Sequence, residues 1–169
     1  MRWGILFGLL TWIVFLALAS LATAQPRYII DAATQTGSLD LYIDGNIVTT
    51  YSYGDNNVTL SARLTDSVLS REALRQNISQ IDEWIGQLNR VIQPAPRVRK
   101  TFNDRVWKPA NGNIKGLCEH GPHTLADVTY NKNTHLITFA PRQALTLNWT
   151  DFVCFRAFLN RFLVEAERL

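Results

Sequence analysis

The chain has 169 residues and a formal net charge of only +3, with 47% of its side chains hydrophobic. So mild a balance argues against a dedicated nucleic-acid binder, which needs a concentrated basic surface to neutralise phosphates. The hydrophobic fraction is too high for a disordered chain and suits one domain with a modest core.

The first two dozen residues differ from the rest. Met1-Arg2 is followed by an uncharged run from Trp3 to Pro26, almost wholly apolar between Gly4 and Ala19. Ala22-Thr23-Ala24 then supplies the small-x-small triplet that signal peptidase accepts. Residues 1–24 are therefore expected to be a signal peptide, cut between Ala24 and Gln25. The alternative is an uncleaved anchor, since the 22 residues from Trp3 to Ala24 exceed the roughly 20 needed to cross a bilayer. Arg2 and Arg27 flank the run on both sides, so charge bias does not decide between them. Either way residues 25–169 form a single domain outside the cytoplasm, secreted, periplasmic or held at a membrane.

An α+β fold is expected for that domain. Tyr28 to Thr34 begins a β-rich half. Leu39, Leu41 and Ile43 alternate with Asp40, Tyr42 and Asp44, the period of a half-buried strand. Asp44-Gly45-Asn46 and Gly54-Asp55-Asn56-Asn57 are hairpin turns, because these residues tolerate positive φ. Val58, Leu60, Ala62 and Leu64 continue an antiparallel meander. Tyr42, Thr49, Tyr51 and Tyr53 are expected on the face opposite Leu39, Leu41, Ile43 and Val48, as a binding platform or, more simply, covered by the last helix.

A helix follows, with Leu74, Ile78, Ile81, Ile85, Leu88 and Ile92 forming one apolar stripe. Asp66, Ser67 or Ser70 caps its start, and Pro94 and Pro96 stop it. Residues 94–124 read as irregular, with a short strand around Arg97 to Phe102. Leu125–Tyr130 and His135–Phe139 form a second hairpin around Asn131-Lys132-Asn133. The last helix spans Asp151 to Arg168, with Phe152, Phe155, Leu159, Phe162 and Ala166 on one face and Asn148 or Thr150 as cap.

Cys118 and Cys154 both lie in the exported part, where two thiols ordinarily pair; such a loop is worth about 3–4 kcal/mol. Around the first of them, Glu119, His120 and His123 are the densest polar chemistry in the chain. With Cys118 in a disulfide, two histidines and a carboxylate remain on a Gly-Pro loop, short of a pre-organised metal site. The plain reading is a surface loop tethered by its cysteine. The sharper one is a small secreted hydrolase or metal-dependent enzyme. No nucleophile elbow, phosphate loop or zinc-peptidase motif is present, and no cofactor or bound metal is expected.

Charge is segregated along the chain. Tyr28 to Asp66 carries Asp31, Asp40, Asp44, Asp55 and Asp66 against one arginine. Arg97, Arg99, Lys100, Arg105, Lys108 and Lys115 face Asp104 alone, with Phe102 and Trp107 interleaved. This composition grips anionic partners. Two readings stand: the basic stretch folds back on the acidic sheet of its own domain, or it binds an acidic protein, an envelope polymer or lipid headgroups. The favoured function is thus an exported, non-enzymatic accessory protein that binds through a basic loop. A single-pass subunit of a membrane complex is a further alternative. Asn57, Asn77 and Asn148 head glycosylation sequons, Asn77 within the first helix.

Overall fold

The structure is a computed structural model that describes residues 27–43, 46–62, 66–92, 100–142 and 144–169. Residues 1–24, with the expected signal or anchor, lie outside them. Among the described residues, ten strands and two helices are arranged as two antiparallel five-stranded sheets with both helices packed against them. The chain is α+β, as composition and periodicity led us to expect. No helix among the described residues is long and apolar enough to cross a membrane.

The first sheet is ordered β1 (Arg27–Asp31), β2 (Thr36–Ile43), β3 (Asn46–Gly54), β4 (Asn57–Ala62) and β10 (Leu145–Asn148). Asp55 and Asn56 both hold positive φ in a two-residue loop, the mirror-image turn that suits the twist of a hairpin. The expected turn at Asp44-Gly45 falls outside the described residues, but its strands pair from Ile43↔Asn46 onward.

The tyrosine platform requires correction. Tyr51 pairs with Leu39 and Thr49 with Leu41, so they share the inner face; Tyr51 and Tyr53 are 4% and 5% exposed. The cause is a bulge between Leu41 and Tyr42. An unbroken register would set Leu41 against Val48, and one inserted residue moves every later side chain to the other face.

The second sheet is ordered β5 (Ser67–Ser70), β9 (Leu136–Pro141), β8 (His123–Asn131), β7 (Ile114–His120) and β6 (Phe102–Trp107). Much of the stretch expected to be irregular is therefore β6 and β7. Their alternation is concealed by Gly116, Asp104 and Cys118 on the buried face. Gly116 is there for a reason: a Cβ would lie 2.8 Å from Phe162 and 2.9 Å from Phe158.

Helix α1 (Arg71–Leu88) starts at Ser70, whose hydroxyl accepts the Ala73 N–H at 3.1 Å. It ends one turn before the prolines. Trp84, absent from the expected stripe, is fully buried in it against Tyr51 and Phe152. Helix α2 (Trp149–Glu167) begins at Asn148 and buries the expected phenylalanine stripe. It also buries Phe158 and Leu163, because it is covered from two sides. Trp149 and Phe152 meet Tyr53 and Tyr51 of the first sheet, while Phe155 meets Phe102 of the second. One core joins both sheets and both helices.

Candidate functional site

The middle of the basic stretch, Phe102 to Trp107, is an edge strand rather than a loop, with Arg105 its one cation and Lys108 just beyond its end. In the β6–β7 register Phe102, Asp104 and Val106 share the inner face with His120, Cys118 and Gly116. Asn103, Arg105 and Trp107 therefore point outward with Glu119, Leu117 and Lys115. The Arg105 guanidinium lies over the Trp107 ring, 4.8 Å from its centroid, and Trp107 remains 39% exposed. An indole held under a cation in this way gives an exposed, pre-ordered contact surface. Lys108 and Lys115 are exposed around it, and Lys100 is exposed before the far end of the strand. Arg97 and Arg99 lie outside the described residues.

Phe102 does not belong to this surface. It is fully buried against Phe155 and serves as a core anchor for β6. On the inner side of the same edge, Arg161 of α2 pairs with Asp104. Together with Val164 and Arg168 it forms the far wall of an open groove that runs along β6. These α2 residues could not be placed there from the sequence, since nothing local to β6 announces them. Asp31, Asp40, Asp55 and Asp66 take part in no ion pair among the described residues, so the basic strand is not neutralised by them.

The histidine cluster is also resolved into parts. His120 and His123 are cross-strand partners flanking the tight turn at Gly121, whose φ is +58°. Glu119 projects to the opposite face. In place of Glu119, the carboxylate beside His120 is Asp151, which is completely buried. Asp151 accepts the Thr101 hydroxyl at 2.5 Å, the Thr101 and Phe102 backbone N–H groups at 3.0 and 3.2 Å, and the Asn148 side-chain N–H at 3.0 Å. Burial alone would raise its pKa, but the Thr101 and Phe102 donors together with His120 bring it below the ordinary carboxylate value.

This arrangement fixes the direction of each hydrogen bond. Thr101 has one hydroxyl proton and gives it to the acceptor-only carboxylate, so at 2.8 Å it is His120 Nε2–H that donates to Thr101 Oγ1. A nucleophilic hydroxyl needs the reverse, with its proton passing to the imidazole. The cluster is thus wired as a clamp, tying the chain before β6 to the first turn of α2. Asn148-x-x-Asp151 is its visible trace in sequence, since Asn148 Oδ1 also accepts the Asp151 N–H at 2.9 Å, in the manner of a capping box. No group of three His, Cys, Asp or Glu side chains among the described residues is placed to hold a metal.

A cavity lies between the sheets, walled by Leu41, Leu69, Leu74, Val128, Ile137 and Phe155. It encloses about 50 Å³, room for a few waters at roughly 10–15 Å³ each but far below the ~300 Å³ of a small-molecule pocket.

The disulfide expected between Cys118 and Cys154 is not formed, and both thiols are free. Cys118 faces the core from β7 and directs its thiol toward the Ala126 carbonyl at 3.7 Å, while Cys154 sits half-buried on α2. Burial pushes the Cys118 thiol up to about 12. Of the three sequons, Asn77 is buried and the Asn148 side chain is engaged in the cap of α2. No family model matches this chain, and neither a curated protein nor a solved structure matches it.

Proposed function

We propose that this chain is an exported, non-enzymatic binding protein whose β6 face grips an anionic partner in the envelope or outside the cell. The observation that carries it is the exposed Arg105–Trp107 stack, with Lys108 and Lys115 beside it and, among the described residues, no aspartate of the first sheet paired to them. The Thr101–Asp151 geometry favours the binding reading over the hydrolase. Residues 1–24 supply the route out of the cytoplasm, as a cleaved signal in the favoured form and as a retained anchor in the alternative.

The test is retention of the purified protein on immobilised polyglutamate. A triple variant, Arg105→Glu, Lys108→Glu and Lys115→Glu, is expected to lose retention while keeping its circular dichroism. Retention that survives those three reversals defeats the proposal.

Export also places the two thiols in an oxidising compartment. Helix α2 runs antiparallel across β7: Asp151 lies by His120, and Phe158 lies over Gly116. Cys154 and Cys118 fall inside those two contacts. We propose that they close a disulfide by exchange with an oxidised dithiol, which takes up their two electrons and two protons. Intact mass of the exported protein checks this: the bonded form is two hydrogens lighter, and an unshifted mass removes the cross-link.

A further inference from the structure

The outer edge of β6 carries more than charge. Its hydrogen-bonding direction follows from one contact: the Gly121 N–H donates to the Thr101 carbonyl at 3.3 Å across the β6–β7 hairpin line. Thr101 and Gly121 continue the register Phe102↔His120, so they occupy a hydrogen-bonded pair position. In an antiparallel ladder such positions alternate with ones whose N–H and C=O point away from the partner. Asn103, Arg105 and Trp107 therefore bond to β7, and Phe102, Asp104 and Val106 turn their backbone groups outward.

The Asp151 carboxylate closes the start of this edge, taking the N–H groups of both Thr101 and Phe102, while the Thr101 carbonyl alone bonds across to Gly121. Beyond that clamp, Asp104 and Val106 present backbone donors and acceptors that have no partner among the described residues. Unpaired edge groups of this kind accept another strand. The seat is already shaped, with the α2 wall on the inner side and the Arg105–Trp107 stack on the outer side. Its charges are four cations, Arg105, Lys108, Arg161 and Arg168, against Asp104 and Glu165.

Resting on the binding role proposed above for this face, we infer that the partner is an acidic, extended polypeptide segment that adds as a strand to β6 at Asp104 and Val106. One set of its alternating side chains lies on Val164 and the α2 arginines. The other set meets Arg105 and Trp107. Protein is favoured over lipid or polysaccharide because a peptide strand repeats its N–H and C=O at the same spacing as the outward groups of Asp104 and Val106.

The probe is a peptide of about eight alternating glutamate and valine residues, the length of an ordinary strand. Its control has proline in place of valine, with equal charge and no regular donors. Vesicles of anionic phospholipid serve as the lipid arm. With the unmodified protein, the glutamate–valine peptide is expected to slow amide exchange at Asp104 and Val106, and the other two are not. Val106→Pro removes one outward donor without breaking the β6–β7 ladder. It should weaken that peptide about tenfold or more, from the strand bonds lost, and leave polyglutamate retention intact. Equal binding of both peptides with no protection at Asp104 and Val106 overturns strand addition and leaves the basic-surface reading standing. Undiminished binding of the glutamate–valine peptide to the Arg105→Glu, Lys108→Glu variant overturns the acidic partner, and the proposed function with it.

Discussion

Asp151, in the first turn of α2, accepts the backbone N–H of Phe102 at the mouth of β6, 3.2 Å away. One carboxylate thereby braces Asn148, the cap of a helix, and closes the first open position of a sheet edge. Helix dipole and unpaired strand donors make the same electrostatic demand, for a negative charge at a fixed point.

Replacing Asp151 strands several buried donors at once. Asp151→Ala is expected to cost about 3 kcal/mol or more, since each orphaned buried donor costs about 1–3 kcal/mol. The pKa of Asp151 is lowered in the folded protein, so its contribution is fully present above the ordinary aspartate range. It is lost as pH falls through the depressed native value. Urea titrations from pH 7 down to pH 3 should show wild type losing its excess stability over Asp151→Asn on acidification. A constant gap across that range contradicts the clamp.

Gly116 is predicted to tolerate no side chain. Its missing Cβ leaves room for Phe158 and Phe162, which would be met at 2.9 and 2.8 Å. Gly116→Val should destabilise by about 1–3 kcal/mol through overpacking, read as a lower denaturation midpoint at unchanged slope.

Trp84 is fully buried, and its indole N–H has no partner among the described residues, close above Gly37. Trp84→Phe gives up packing but also removes the unpaired donor, so the two effects oppose each other and the net cost is expected to stay under about 1.5 kcal/mol. Trp84→Ala leaves a cavity and should cost about 3–5 kcal/mol. Equal costs for the two variants would mean that the N–H has found a partner.

The cysteines should differ in rate when reduced. Burial pushes the Cys118 thiol up to about 12, which leaves almost no thiolate at neutral pH. Alkylation of the folded, reduced protein by iodoacetamide is expected to label half-buried Cys154 first. Cys118 should react only after denaturant is added. Simultaneous labelling of both would place Cys118 outside the core.

Much of the fold is legible in local patterns. The Leu39–Ile43 alternation, the Asp55-Asn56 turn, the stripes of both helices and the Asn131 hairpin are each short-range signals, and each element is found where its period predicts, except that α1 stops at Leu88 and leaves Ile92 beyond its end. Local signals failed where a distant partner supplies the reason. β6 and β7 hide theirs because Gly116 and Asp104 are chosen by α2, whose Phe162 needs the space and whose Arg161 needs the charge. The four-residue strands β5 and β10 exist only because β9 and β4 offer them an edge.

The sequence by itself determined the α+β class, both helices and the separation of acidic from basic segments, since composition and periodicity act over a few residues. Tertiary structure decided which side chains meet: a single bulge turned Tyr51 and Tyr53 inward, and an antiparallel ladder aimed Asp104 and Val106 outward. It also delivered Asp151 to Thr101 from 50 residues away. Facing and long-range contact depend on register, and one residue of register reverses every facing along a strand.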